Sequence, residues 1–284
     1  YPNSILLESS DYHTNDNSFS YICCNPIASI KVENDEIVQT FPDGSSEKNS
    51  AKSIDVTDEI HKFTKRFKID SDEEFKFINN GIFGYTAYDA VKYFEDIEIS
   101  KKSDSLNIPD IYYAVYQNII AINHFKNEAY IFAHCFDAEN NIGDIHHLIK
   151  AKNFASYQFN SEGDISSNLT DEDYKKQVEL AKKHCARGDV FQLVLSKKFQ
   201  QNFKGDEFNV YRALRSINPS PYLFYFDYGN FKIFGSSPEA QLVVSNGKAE
   251  IHPIAGTFKR TGDDLKDAKL AEKLVEDAKE NAEH

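Results

Sequence analysis

Short apolar segments bounded by turn residues recur along the chain, and this pattern limits its possible folds more than any other feature. Strand candidates lie at 4–8, within 18–33 on either side of Asn25-Pro26, and at 81–89, 111–122, 128–135, 190–199, 222–228, 231–235, 239–245 and 249–253. A short turn at Lys126-Asn127 joins two of them. With helices inserted at intervals, this order predicts an α+β fold with large antiparallel sheets.

Helical patterns occupy four segments. The best defined follows Thr170, which forms a capping-box pattern with Asp173, and it ends at Gly188. The other three are 56–67, 207–217 and 263–284. Residues 157–169 are polar and rich in Ser and Asn, so we predict a linker there.

Charge and composition disfavour several classes of function. Acidic residues outnumber basic ones by 45 to 32, and only five of the basic residues are arginine, so nucleic-acid binding is not expected. No apolar run reaches the roughly 18 residues of a membrane span, and no secretion leader opens the chain. The four cysteines form no CxxC pair, which predicts reduced thiols in a cytoplasmic protein.

The two ends of the sequence predict a segment of a longer protein. The chain has no methionine, opens at Tyr1-Pro2 and closes on Ala282-Glu283-His284, inside a predicted helix. We therefore expect an internal segment whose carboxy-terminal part is missing. The alternative is that methionines are absent from within the sequence, which would leave hidden junctions.

Two polar residues stand out in predicted strand regions. Gln192 lies on one face of the strand at 190–199, where it either lines a polar cavity or faces solvent. Glu239 follows Pro238 at a strand end, in Gly235-Ser-Ser-Pro-Glu-Ala240. A partly desolvated carboxyl at such a position can act as a general acid, and the alternative is an exposed glutamate in a turn.

Two further clusters have the residue types of binding sites. In Pro253-Ile-Ala-Gly-Thr257, backbone N–H groups around Gly256 and the Thr257 hydroxyl can hold a carboxylate, although a simple turn fits as well. Glu280 and Glu283 lie three residues apart on a predicted helix. Their oxygens favour Mg²⁺ over zinc, and the alternative is a solvated charged helix face.

The combination of motifs is more specific than any one of them. In order, they are Gly188-Asp-Val-Phe-Gln-Leu-Val-Leu-Ser196, Asn218-Pro-Ser-Pro-Tyr222, Gly235-Ser-Ser-Pro-Glu-Ala240, Pro253-Ile-Ala-Gly-Thr257 and Lys279-Glu-Asn-Ala-Glu-His284. This series resembles the chorismate-utilising enzymes, and anthranilate synthase component I most closely. Leu6-Leu-Glu-Ser9 and Gly81-Ile-Phe-Gly-Tyr85 fit the amino-terminal region of that family.

The resemblance implies a division of the chain and a sheet arrangement. Residues 1–156 would form the amino-terminal regulatory region, and residues 170–284 the first part of a truncated chorismate-binding catalytic domain. The sheets would pack as a sandwich with flanking helices. The family continues past Glu-His with further active-site residues, so we expect this segment alone to be inactive.

Two positions separate the related subfamilies. Isochorismate and salicylate synthases have Lys where this chain has Gln192, and that Lys activates water. Aminodeoxychorismate synthases have a covalently acting Lys where this chain has Ala255. Both differences favour anthranilate synthase. Aminodeoxychorismate synthase component I remains an alternative, as does a non-catalytic amino-acid-binding module.

The resemblance also implies the roles of single residues in the conversion of chorismate and ammonia to anthranilate and pyruvate. Gly256 and Thr257 would bind a chorismate carboxylate, and Glu283 with Glu280 nearby would coordinate Mg²⁺. Glu239 would protonate the departing ring hydroxyl. Gln192 would lie on the side of the ring where the nucleophile adds. Because a glutamine side chain cannot act as the base that activates water, ammonia is the better-suited nucleophile.

Regulation and ammonia supply are the remaining implications. A glutamine amidotransferase subunit, component II, would deliver the ammonia. L-Tryptophan would inhibit by binding between Glu8-Ser9 and Pro221-Tyr222-Leu223. Leu223 replaces the Met that is frequent in the family. Glu8 would pair with the ammonium group, and Pro221 and Leu223 would cover the indole ring.

Overall fold

The computed structural model describes residues 2–9, 18–71, 75–99, 106–136, 140–152, 157–254 and 258–283. These residues form two compact units. The first comprises residues 1–152 and 214–284, and the second comprises residues 153–213. The functional division at residues 156 and 170 stays a prediction.

Thirteen strands and six α-helices are formed by the described residues. The strands are β1 (Ser4–Glu8), β2 (Phe19–Glu33), β3 (Glu36–Thr40), β4 (Ser46–Ser50), β5 (Ile82–Thr86), β6 (Ile111–Asn123), β7 (Glu128–Ala133), β8 (Asn160–Ser167), β9 (Phe199–Lys204), β10 (Tyr222–Asp227), β11 (Lys232–Ser237), β12 (Val243–Ser245) and β13 (Lys248–Glu250). The helices are α1 (Val56–Lys65), α2 (Ile142–Ala151), α3 (Asp171–Arg187), α4 (Phe208–Ile217), α5 (Asp264–Glu276) and α6 (Ala278–Glu283), with a 3₁₀ helix at Tyr88–Tyr93.

The first unit is built on a nine-stranded antiparallel sheet whose centre is the long pair β2 and β6. The first half of β2 pairs with β1, followed by β10 and β11, and its second half pairs with β3, followed by β4. On the other side, β6 pairs with β5 near its start and with β7 near its end. The α+β class with a large antiparallel sheet is confirmed.

A β-bulge divides this sheet into two halves. The register of β2 against β6 shifts between Pro26 and Ala28, next to Asn25 with a φ of 58°. Bulges bend a strand, so the chain forms one bent strand where the sequence predicts two. The halves then face each other, because the Tyr228 ring lies 5.6 Å from Tyr85 and 4.5 Å from Tyr112. This packing confirms the predicted sandwich.

Apolar side chains fill each half of the bent sheet. One core cluster contains Ile5, Cys23, Tyr116 and Phe226, and partly buried aromatic residues pack around it. The second core lies under α1, where Phe63 packs with Ile30, Val32, Ile37 and Ile111. Burial of the first cluster positions β1 and β10, which contribute Ile5 and Phe226, and β11, whose Ile233 packs against it.

The second unit contains two errors of prediction. Residues 157–169 do not form a linker, because Asn160–Ser167 pairs with Phe199–Lys204. Backbone hydrogen bonds of a ladder need no apolar side chains, which explains how so polar a segment forms a strand. The predicted strand at 190–199 is wrong except for its last residue, since residues 190–198 have no strand pairing.

Helix termini follow their sequence signals in part. The Thr170 hydroxyl accepts the Asp173 N–H at the start of α3, and Gly188 ends this helix with a φ of 78°, as predicted. The helix predicted over 263–284 is two helices, because Asp277 has extended backbone angles. Among the described residues, no helix is both long and apolar enough to cross a membrane.

Candidate functional site

The residues that are predicted to bind tryptophan meet at one end of the nine-stranded sheet. Strand β1 pairs with β10, and Glu8 lies opposite Leu223. A groove of about 490 Å³ opens beside this pair, and we call it the β1–β10 groove. It is lined by Leu7, Glu8, Ser9, Ser18, Phe19, Tyr21, Ile78, Pro221, Tyr222, Leu223, Phe224 and Phe226. The structure thus brings together all five residues that the sequence assigns to tryptophan.

Glu8 has a partner that the sequence does not reveal. Its carboxylate, with the side chain 11% exposed, lies 3.2 Å from the guanidinium of Arg215 on α4. Side chains alternate along a strand, so Glu8 points away from the face that carries Leu7. No local spacing links Arg215 to Glu8, because the two residues lie far apart in the chain.

Aromatic residues make up much of the groove wall. Burial raises the pKa of Tyr21, whose hydroxyl also hydrogen-bonds the Ile78 backbone. Leu223 is fully buried, whereas Tyr222 is exposed. Gly235 adjoins the groove, and a Cβ atom there would lie 2.7 Å from the Phe224 ring, so a larger residue would displace that ring. A wall of this kind suits a flat apolar ligand with a polar end.

A second groove of about 510 Å³ contains Glu239, and we call it the Glu239 groove. Its lining consists of Pro221, Tyr222, Pro238, Glu239, Ala240, Ile251, His252, Pro253 and Ile254. The Glu239 side chain is exposed and follows the end of β11. Its backbone N–H donates to the Ser237 hydroxyl at 3.3 Å. The geometry therefore fixes the loop and leaves the carboxyl open to a ligand.

The predicted carboxylate-binding residues adjoin this groove in the chain. Pro253 and Ile254 line it, and they immediately precede the segment 255–257. Gly256 and Thr257 themselves lie outside the described residues. Asp267 on α5 holds the chain that follows, because it accepts hydrogen bonds from the Thr261 N–H and hydroxyl at 2.7 and 2.8 Å.

Gln192 belongs to the second unit, whereas Glu239 belongs to the first. It is exposed and lies in the segment 190–198, which forms no strand. Nearby, the Lys198 N–H donates to Asn168 at 2.8 Å and Lys197 pairs with Asp171. The proposed role of Gln192 cannot rest on a strand face and stays a prediction from the motif.

The two predicted metal ligands occupy the short helix α6. Positions 280 and 283 lie three residues apart within Ala278–Glu283. Two carboxylate-bearing positions one helical turn apart supply the donor type that Mg²⁺ prefers, so this part of the chain fits the ion. Among the residues that the structure describes, no group of three or more His, Cys, Asp or Glu side chains forms a metal site.

Comparison with known proteins identifies the family. Its sequence profile, described as chorismate binding enzyme, matches residues 3–284. Anthranilate synthase component 1 of Aquifex aeolicus is 32% identical over 295 residues, which cover 99% of this chain and 59% of that protein. Aminodeoxychorismate synthase component 1 of Bacillus subtilis is 29% identical over 290 residues, covering 99% of this chain and 60% of that protein.

A solved structure has the same fold. The crystal structure of anthranilate synthase component I from Streptococcus pneumoniae matches with a TM-score of 0.68 and 25% identity, over 97% of this chain and 61% of that one. The chain thus spans about three-fifths of the length of the curated relatives named above. The resemblance found in the motifs is confirmed, and the chain belongs to the chorismate-binding enzyme family.

Proposed function

We propose that this chain is part of anthranilate synthase component I, which converts chorismate and ammonia to anthranilate, pyruvate and water. One observation carries the proposal most directly. Glu239 shares a groove with Pro253 and Ile254, which lead into the predicted carboxylate-binding segment. A proton donor and a carboxylate site at one groove are what the loss of a ring hydroxyl from chorismate requires.

In this proposal, each residue of the chain has a defined task. Gly256 and Thr257 hold a substrate carboxylate, and Glu239 gives its proton to the departing ring hydroxyl while ammonia adds to the ring. Gln192 lies on the side of the nucleophile. Glu283, with Glu280 close by, would hold Mg²⁺, which neutralises carboxylate charge on the substrate when bound. Loss of pyruvate and a ring proton then gives the aromatic product.

Tryptophan regulation is a further part of the proposal. The β1–β10 groove has aromatic walls, and the five residues assigned to tryptophan line it. Its volume of about 490 Å³ lies in the range of small-molecule sites. We propose that tryptophan binds here and that a glutamine amidotransferase subunit supplies the ammonia. A cytoplasmic location is also proposed.

Aminodeoxychorismate synthase component I is the second candidate, since a relative with this name is 29% identical to nearly the whole chain. Ala255 argues against it, because an alanine has no amine to form the covalent bond that the resemblance ascribes to Lys. A non-catalytic amino-acid-binding module is the third, and it is favoured by the completeness of the β1–β10 groove.

Product analysis distinguishes these candidates. The protein that contains this chain is incubated with chorismate, ammonia and Mg²⁺, and the products are separated and identified. We expect fluorescent anthranilate with an equal amount of pyruvate, and a much lower but measurable rate of anthranilate formation in Glu239→Gln. Aminodeoxychorismate as the product would favour the second candidate. Tryptophan binding without any conversion of chorismate would favour the third.

The nucleophile side has its own test. Gln192→Lys introduces the residue that activates water in related enzymes, and we expect much of the ammonia-dependent activity to be lost. Lys198→Gln, a change in the same segment, is the matched control. Anthranilate formation at the parental rate in Gln192→Lys would remove Gln192 from the site.

A further inference from the structure

Beyond the last ladder pair of β10 and β11, the two strands continue without backbone pairing. Tyr222 lies opposite Ser237, and this is the final pair at that end. The flanking residues Pro219, Pro221 and Pro238 have no N–H groups. Proline cannot donate to a ladder, so another set of hydrogen bonds must hold the two chain segments together here.

Serine hydroxyls provide these bonds. The Ser220 and Ser236 hydroxyl oxygens lie 2.6 Å apart. The Ser220 hydroxyl also lies 2.9 Å from the Ser237 carbonyl, and the Ser236 hydroxyl lies 2.6 Å from the Asn218 carbonyl. Because each hydroxyl has a single proton, two of these three contacts are hydrogen bonds at any one time. Ser220 is only 7% exposed, so water does not readily replace its partners. We call Ser220 and Ser236 the serine clasp.

The clasp lies between the parts of the chain that carry Tyr222 and Glu239. Ser237, whose carbonyl accepts from Ser220, exchanges hydrogen bonds with the Glu239 backbone at 3.2 and 3.3 Å. Glu239 itself is exposed, so the bonds to its loop, rather than packing around its side chain, limit where its carboxyl can be. A catalytic acid loses efficiency when its position varies, because proton transfer needs hydrogen-bond distance.

We propose that the Ser220–Ser236 clasp is a positioning element that holds the Glu239 loop in the geometry for acid catalysis. The proposal rests on the proposed role of Glu239 and adds residues that act through it. The two serines belong to separate motifs, Asn218-Pro-Ser-Pro-Tyr222 and Gly235-Ser-Ser-Pro-Glu-Ala240.

The test is a double-mutant cycle in the whole protein that contains this chain. Ser220→Ala should lower kcat for anthranilate formation by roughly tenfold to a hundredfold, with little change in the KM for chorismate. In a Glu239→Gln background, the same substitution should lower kcat almost no further, because the carboxyl that the clasp positions is gone. Ser236→Thr retains a hydroxyl and should retain most of the activity, unlike Ser236→Ala.

The matched control is Ser29→Ala. Ser29 forms a similar hydroxyl pair with Thr40 between β2 and β3, at 2.8 Å, and it lines neither groove. We expect kcat to stay within about twofold in this variant. If the Ser220→Ala protein does not fold, the same comparison is made with Ser236→Ala and Ser236→Thr, each in the parent and in the Glu239→Gln background.

The possible failures are distinguishable. Equal losses from Ser220→Ala in the parent and in Glu239→Gln would mean that the clasp acts independently of Glu239, and the inference would be wrong while the proposed function stands. A parent protein that does not aminate chorismate would overturn the proposed function and the clasp together.

Discussion

At the scale of single residues, Glu8 is the side chain with two competing partners. The sequence assigns it to a ligand ammonium group, whereas the structure pairs it with Arg215 at 3.2 Å. A carboxylate that is mostly buried needs a charged or hydrogen-bonded partner, and a guanidinium already supplies one. Tryptophan would therefore share this carboxylate with Arg215. Substitutions at Glu8 and at Arg215 can separate ligand binding by Glu8 from its ion pair with Arg215.

We expect Glu8→Gln to raise the tryptophan concentration for half-inhibition about tenfold or more, because the ammonium loses a charged partner. Ser9→Ala should raise it only several-fold, since it removes one neutral contact. Anthranilate fluorescence across a tryptophan titration measures both. Arg215→Gln removes the guanidinium that competes with tryptophan for the Glu8 carboxylate, so it should not weaken inhibition. If Arg215→Gln weakens it as much as Glu8→Gln does, Glu8 is only part of an ion pair.

At the scale of elements, a cluster of amides lies beside the bulge in β2. Asn118 is fully buried in β6, accepts from Asn25 at 2.7 Å and donates to Asn141 at 2.7 Å. Asn141 precedes α2, so the cluster joins the bulge, the central strand and a helix start. Burial of the Asn118 amide is tolerated because Asn25 and Asn141 satisfy its hydrogen bonds.

Asn118→Ala should lower the free energy of unfolding by about 2–3 kcal/mol, because Asn25 and Asn141 lose their common partner. Urea unfolding monitored by circular dichroism measures the change. Asn80→Ala is the control, since Asn80 is exposed and, within the part of the chain that the structure describes, its side chain bonds to its neighbour Asn79. We expect Asn80→Ala to lower the free energy of unfolding by less than about 0.5 kcal/mol. Equal effects of the two substitutions would contradict a role for the cluster.

A second element-scale feature gives a pH dependence. The hydrogen bonds from Thr261 and the ion pair with Arg260 lower the pKa of Asp267 to about 2. An unfolded chain has an aspartate pKa near 3.9, so this group stabilises the fold above about pH 3.9, and its contribution is lost as the pH falls towards 2. The stability difference between the parent and Asp267→Asn should shrink over that interval.

Unfolding titrations at pH 6 and at pH 2.5 measure this difference. The control is Asp264→Asn, because the Asp264 side chain is fully exposed. Carboxyl chemical shifts give an independent check, since Asp267 should remain mostly ionised at pH 3. An ordinary titration midpoint near 3.9 would show that Asp267 does not hold the segment after 255–257.

The elements differ in how well the sequence predicts them. Helix α3 has local start and stop signals at Thr170 and Gly188, and both are confirmed. The segment 190–198 has the alternation of a strand but lacks a neighbouring strand, and β8 is polar yet has one. Pairing depends on residues far away in the chain, which a local pattern does not contain. The Arg215–Glu8 pair and the serine clasp were missed for the same reason.

At the scale of the whole molecule, the chain corresponds to about three-fifths of its relatives' length. On the proposed function, positions 280 and 283 contribute to the Mg²⁺ site. We expect Glu283→Gln, in the whole protein, to raise the Mg²⁺ concentration for half-maximal activity by orders of magnitude, because an amide cannot replace the charge of a ligating carboxylate. Glu280→Gln should raise it less.

Anthranilate formation across a Mg²⁺ titration gives both values. Glu276→Gln, on the neighbouring helix α5, is the matched control. It should leave the Mg²⁺ concentration for half-maximal activity unchanged. An unchanged curve for Glu283→Gln would remove this residue from the metal site.

Pro221 and Tyr222 line both the β1–β10 groove and the Glu239 groove. On the proposed function, this common wall limits the routes by which the protein can escape feedback control. A substitution at Glu8 or Ser9 alters one groove alone, so resistance to tryptophan can arise there with turnover preserved. A substitution at Tyr222 alters both surfaces at once, and a selection that demands both resistance and growth should seldom recover it.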